Sequence, residues 1–116
     1  MSIWNVAGVE EHPEAELVRW GIMQLPDGSL HFTGHCPEYR EGRVSSRVEQ
    51  FDHQTLRGVT RSGRVYQLLG EPRYDSNASY VWNAWAHLNG VTESKDISKE
   101  IYESHTQRQT HEDPVS

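Results

Sequence analysis

Two sets of residues in this chain have types and spacing that bear on chemistry: the run His31-x-x-x-His35-Cys36, and the arginines Arg43, Arg47, Arg61 and Arg64. On a helix the two histidines would share one face and reach a single ion. Leu30 to Gly34 reads as a strand, however, where four residues span about 13 Å and Cys36 faces away from His35. No metal site is expected. A thiolate nucleophile at Cys36 is disfavoured in the same way, because adjacent strand residues face apart and Pro37 denies the thiol a helix N-terminus behind it. The 17 carboxylates concentrate in residues 10–16 and after Glu93, in segments that read as loops, so their expected role is solvation. Neither a nucleophile elbow nor a glycine-rich phosphate cradle is present, and no cofactor is expected.

The arginines carry more information. Arg43 and Arg47 alternate with Val44 and Val48, which puts both on one face of a half-buried strand, while Arg61 and Arg64 flank Ser62-Gly63. If that turn has two residues, Arg61 and Arg64 stand opposite each other, an arrangement that costs some tenths of a kcal/mol unless an anion sits between them. Glu49, Asp52 or the acidic N-terminal loop could neutralise them within the fold, or an anionic partner could do so. The net charge of −6 is unevenly spread: residues 1–39 carry one basic and six acidic side chains, residues 40–73 carry seven against four, and residues 74–116 carry three against seven. Such a layout argues against wrapping by nucleic acid and leaves room for a local arginine surface.

The elements that must position these groups are mainly strands. Residues 3–9 suggest a short opening strand and residues 10–14 an acidic loop broken by Pro13. Val18, Trp20 and Ile22 then alternate onto one strand face. Pro26-Asp27-Gly28 supplies turn chemistry, and Leu30 and Phe32 return as its partner strand. Residues 43–48 form a further strand, and a second hairpin spans residues 55–70 around Ser62-Gly63. Asp75, Ser76 and Asn77 offer caps for a helix over residues 77–89, in which Ala78, Val81, Trp82, Trp85 and Leu88 make an apolar stripe and Asn89-Gly90 a stop. Residues 96–103 fit a short strand or a helical turn equally, and residues 104–116 read as a polar, flexible tail.

The 116 residues suit one domain, with residues 1–103 forming its β-rich body. Only 34% of residues are hydrophobic, so the four Trp and five Tyr must supply much of the core. The longest apolar stretches fall far short of the roughly 20 residues that span a bilayer. The absence of a signal-peptide pattern and the single Cys36 point to the cytoplasm.

The run Thr60-Arg61-Ser62-Gly63-Arg64-Val65-Tyr66-Gln67-Leu68-Leu69-Gly70-Glu71-Pro72, followed by Tyr80-Val81-Trp82 and Trp85, resembles segments of small uncharacterised proteins from proteobacteria, their phages and mobile elements. The likeness implies a hairpin, loop and helix used as one unit, and brings no catalytic residue or cofactor with it. By analogy with phage proteins of this size and acidity, it also implies an inhibitor or accessory factor.

These observations lead to an α+β expectation: an antiparallel sheet or small roll of five or six strands, packed by one helix in the C-terminal half. The expected function is non-enzymatic protein binding through exposed hairpin surface, with Arg43, Arg47, Arg61, Arg64 and Tyr66 as the binding set and homodimerisation as a common outcome for open sheet edges. One alternative is a nucleic-acid-binding protein that uses the same arginines and Arg57, with Tyr66 stacking on bases. The other is a small enzyme in which His31, His35 or His53 converges with a carboxylate.

Overall fold

The computed structural model describes residues 14–111, with nothing described of the side chains beyond residue 106. The expected strand at residues 3–9 therefore lies outside the described residues. The described residues form seven strands: β1 (Glu14–Gln24), β2 (Leu30–Cys36), β3 (Glu41–Val44), β4 (Val48–Asp52), β5 (Arg57–Thr60), β6 (Val65–Leu68) and the two-residue β7 (Lys95–Asp96). Two helices follow the main sheet, α1 (Ser76–Leu88) and α2 (Ser98–His111). The fold is mixed α+β with a mostly antiparallel sheet of order β3-β2-β1-β6-β5-β4. Only β1 and β6 run parallel, and β7 pairs with β1 outside that path.

β3 and β4 stand at opposite ends of this order, yet only residues 45–47 join them. The sheet must therefore curl until its two edges meet at that corner. Ser45 makes the turn possible. Its N–H donates to the Phe32 carbonyl and its hydroxyl accepts the Phe32 N–H at 2.9 Å each, so β2 stays satisfied while the chain leaves it. Two residues later the Arg47 carbonyl already accepts from Arg61, beside β5. The single strand expected over residues 43–48 is thus two strands and a corner, and Arg43 and Arg47 do not share a face.

β1 departs from simple alternation as well. Ala15 and Leu17 point inward, then a bulge between Val18 and Gly21 inserts an extra residue, and Trp20 and Ile22 resume the inward face. Val18 is consequently out of phase with the two residues expected beside it. Inside the roll Leu17, Trp20, Ile22, Phe32, Tyr66 and Leu68 are buried, with Phe32 lying over Gly58 of β5. Any Cβ at Gly58 would meet the Phe32 ring at 2.6 Å.

α1 covers the outer face of β2 and β3, capped at its start by Asp75, whose side chain accepts the Ala78 N–H. Ala78 and Trp82 are buried beneath it, whereas Leu88 is 82% exposed and falls off the expected stripe. The open reading of residues 96–103 divides: Asp96 ends β7, and from Ser98 α2 carries the backbone helically to His111. Ile97, Ile101 and Tyr102 pack on the core, Tyr102 meeting Trp20 edge to face at 6.2 Å. His105 donates to the His53 carbonyl at 2.8 Å, tying α2 across to the β4–β5 turn. The expected loose tail is therefore helical from residue 104 through His111, as the continuation of a helix anchored by Ile101, Tyr102 and His105. Among the described residues no helix is long and apolar enough to cross a membrane.

Candidate functional site

The five residues expected to bind are divided by the fold into two that face solvent and three that are engaged. Arg43, on β3, donates to Glu41 at 3.0 Å and lies 5.0 Å from the centre of the Tyr39 ring. Partial burial works against its charge, but Glu41 and the Tyr66 hydroxyl more than compensate and raise its pKa. Tyr66 sits in the core at 4% exposure, its ring 5.7 Å from Phe32. Burial pushes its hydroxyl above the usual tyrosine value despite the nearby Arg43. A ring so enclosed has no free face for a base, so Tyr66 cannot serve as the stacking group expected of it. The cause is β6 alternation, which turns Tyr66 and Leu68 inward together. Arg64 is half-buried close to Tyr66 and has an interaction of its own.

Arg47 and Arg61 remain. The β5–β6 turn has three residues rather than two: Thr60 pairs with Arg64 at 3.0 Å, and Gly63 takes the left-handed position with φ 91°. Thr60, not Arg61, therefore faces Arg64. Arg61 instead donates its backbone N–H to the Arg47 carbonyl at 2.8 Å, and Ser62 donates to the Ser46 hydroxyl at 3.2 Å. Both arginines are exposed, and among the described residues neither is in an ion pair. Elsewhere arginines are matched: Arg19 to Asp75, Arg43 to Glu41, Arg57 to Glu14 and Arg73 to Glu71. Asp27 feels the charge of Arg47 without forming an ion pair with it. Its carboxyl lies below the ordinary value chiefly because Ser29 hydrogen-bonds it through hydroxyl and N–H, with Arg47 adding a smaller pull.

No protein-family model, curated protein or solved structure matches this chain. The reading of function therefore rests on the geometry.

His31 and His35 share β2, while His53 lies in a turn on the other side of the corner. His31, on β2 beneath α1, is 6% exposed, donates from Nδ1 to the Ser45 carbonyl at 2.9 Å and packs 4.6 Å from Trp85. His35 lies two pleats along the same strand face, and its buried Nδ1 has no hydrogen-bond partner among the described residues. His53 belongs to the β4–β5 turn, 5.0 Å from Phe51. A pocket in which these rings converge on a carboxylate is absent among the described residues.

A second locus escaped the sequence reading. The β1 bulge holds Arg19 at φ 46°, a left-handed conformation costing a non-glycine residue about 1–2 kcal/mol. It aims the side chain at Asp75, where Nε donates at 2.8 Å to one carboxylate oxygen while the other accepts the Ala78 N–H at 2.9 Å. Burial of Asp75 opposes ionisation, yet the Arg19 and Ala78 bonds outweigh it, with His35 contributing, and its pKa falls. Beside this pair a cleft of about 670 Å³ opens between the start of α1 and the first turns of α2. No local signal marks it, because Arg19 and Asp75 are 56 residues apart and the bulge uses neither glycine nor proline at its strained position.

Proposed function

We propose that this chain is a small non-enzymatic binding module that presents the Arg47 and Arg61 corner to an acidic surface of a protein partner. One observation carries the reading: these two arginines are joined at a corner by a main-chain hydrogen bond, are exposed, and among the described residues have no carboxylate within ion-pair distance, in a chain of net charge −6 that pairs four of its other arginines. Two like charges carried by neighbouring residues gain when an outside carboxylate approaches, since each guanidinium can form a charge-assisted hydrogen bond with it. The acidic remainder of the chain repels a polyanion and orients an approaching partner so that this corner leads.

Nucleic acid is a weaker fit, since the buried Tyr66 supplies no stacking platform and the net charge is unfavourable. A role as inhibitor or accessory factor of a phage or mobile element, acting in the cytoplasm with Cys36 reduced and buried, is consistent with this mode of action.

The test is capture from the native host with the wild-type chain and the Arg47→Glu/Arg61→Glu variant after nuclease treatment. A protein retained by the wild type and lost by the folded variant supports the reading. Equal retention by both overturns it, as does material that disappears on nuclease treatment and whose binding falls steeply between two salt concentrations.

A further inference from the structure

We infer that the outward face of α1 is a self-association surface, on which a second copy of this chain lies antiparallel about a twofold axis at Ala84. The helix Ser76–Leu88 contains no Asp, Glu, Lys or Arg, in a chain where those residues make up 24% of the total. A helix lying on a sheet ordinarily turns charged side chains to water. Here the outward face carries Tyr80, 75% exposed, the exposed Ala84, and Leu88, 82% exposed, with half-buried Val81 beside them. At about 100° per residue Ala84 points about 160° away from the buried Trp82, and Tyr80 and Leu88 lie about 40° to either side of it. The three make one exposed apolar ridge, and contiguous exposed apolar surface of this kind marks an interaction site.

Spacing and charge both select a second copy as the occupant. Tyr80 and Leu88 stand about 6 Å before and after Ala84 along the helix axis, so a twofold axis through Ala84 sets Tyr80 of each copy against Leu88 of the other. The small Ala84 side chain at the crossing lets the two helix axes approach to about 8 Å. Antiparallel alignment also places the positive end of each helix dipole beside the negative end of the other. Two chains of net charge −6 repel each other, and they repel least where neither presents a charge. Edge-to-edge pairing through β4 would instead bring the exposed Glu49 and Asp52 of both copies together. A helix of 13 residues is about 20 Å long, and one such face falls short of the roughly 800 Å² per partner of a standard interface. The dimer is therefore weak, with a Kd near about 0.1 mM. This surface is separate from the Arg47 and Arg61 corner and does not rest on the partner reading.

Sedimentation equilibrium of the full chain between about 0.01 and 1 mM, with NMR shifts of the α1 amides followed over the same range, tests the inference. A monomer–dimer equilibrium is expected, with concentration-dependent shifts at Tyr80, Ala84 and Leu88. Added salt should tighten it by screening the net charge, the opposite of its effect on an acidic partner at the arginine corner. Ala84→Glu sets two carboxylates face to face across the axis and should weaken association at least about tenfold. Tyr80→Glu should act in the same direction; both positions are exposed, and either variant decides if the other does not fold. In added salt Arg47→Glu/Arg61→Glu should still dimerise, whatever becomes of the partner reading. A chain that stays monomeric at about 1 mM overturns the inference and leaves the face to another protein or to a segment of the chain itself. It is equally overturned by undiminished association in the folded Ala84→Glu and Tyr80→Glu variants, by association that weakens with added salt, or by concentration-dependent shifts confined to β4 or to the arginine corner.

Discussion

Gly42→Ala should detach α1 from the roll. Gly42 pairs with His35 across β2 and β3, and α1 begins directly above it. A Cβ placed there would lie 2.5 Å from the Asn77 carbonyl carbon and 2.6 Å from both the Asn77 oxygen and the Ala78 nitrogen. All three are main-chain atoms, so no side chain can swing aside, and the first turn of α1 must retreat by roughly 1 Å to reach ordinary contact. That movement stretches the 2.8 Å Arg19–Asp75 bond and the 2.9 Å cap onto Ala78, and it opens the packing over Trp82. Overpacking of this kind costs about 1–3 kcal/mol and a lost cap about 1 kcal/mol, so a total near 2–4 kcal/mol is expected. Urea unfolding followed by far-ultraviolet circular dichroism measures it directly. Because the clash is with backbone, Asn77→Ala in the Gly42→Ala background should recover nothing. A loss below about 0.5 kcal/mol, or rescue by the second substitution, would refute the close approach of α1 to β3.

Two further expectations follow from single residues. Arg40 sits exposed at φ 54° with no ion pair or side-chain hydrogen bond among the described residues, so Arg40→Gly should relieve left-handed strain and, after the added unfolded-state entropy of glycine, stabilise the fold by about 0.5 kcal/mol in the same assay. The lowered pKa of Asp75 makes its ionised form a stabilising group, a contribution present above the unfolded carboxyl value of about 3.9 and lost as pH falls through the lower folded value. Asp75→Asn, which can still accept from Ala78, should therefore lower stability at neutral pH and flatten its decline below about pH 4; an acid limb identical to that of the wild type would show that Arg19 and Asp75 are not coupled.

The parts of the fold visible in the sequence are those whose causes are local. The helix expected over residues 77–89 is Ser76–Leu88 because one capping carboxylate, a buried stripe through Ala78 and Trp82, and the Asn89-Gly90 stop all lie within the segment itself. Pro26-Asp27-Gly28 is a turn for equally local reasons. What was missed depends on partners distant in sequence. The corner at Ser45 looks like ordinary strand until the Ser45 N–H is known to donate to the Phe32 carbonyl and the Ser45 hydroxyl to accept the Phe32 N–H. The β1 bulge hides inside an alternating run, since one inserted residue changes the phase without changing the composition. α2 carries little apolar surface, and only its position over the open end of the roll gives Ile101, Tyr102 and His105 something to pack on. Of the candidate site, the residue types were legible but their sorting was not: whether an arginine is matched depends on which carboxylate the topology brings beside it, as Glu14 comes to Arg57 and Asp75 to Arg19.

The same topology explains why the unmatched arginines occur where they do. A carboxylate reaches Arg57 because β6 alone separates β5 from β1, so that Arg57 meets Gln67 on β6 and Glu14 on β1 beyond it, and Arg43 finds Glu41 two residues away on its own strand. At the corner the sheet has run out of neighbours: β3 has ended, β4 is only beginning, and Arg61 lies in a turn. A main-chain bond nevertheless ties Arg61 to Arg47, so both exposed side chains leave from backbone positions set by the closure of the roll. Surface ion pairs elsewhere on the chain contribute little individually, and one carboxylate at this corner would add only modestly to stability. Its absence leaves two donors rooted at backbone positions set by the fold, and an acidic partner that reaches both supplies the charge-assisted hydrogen bonds that no described carboxylate provides, against the cost of ordering the two side chains.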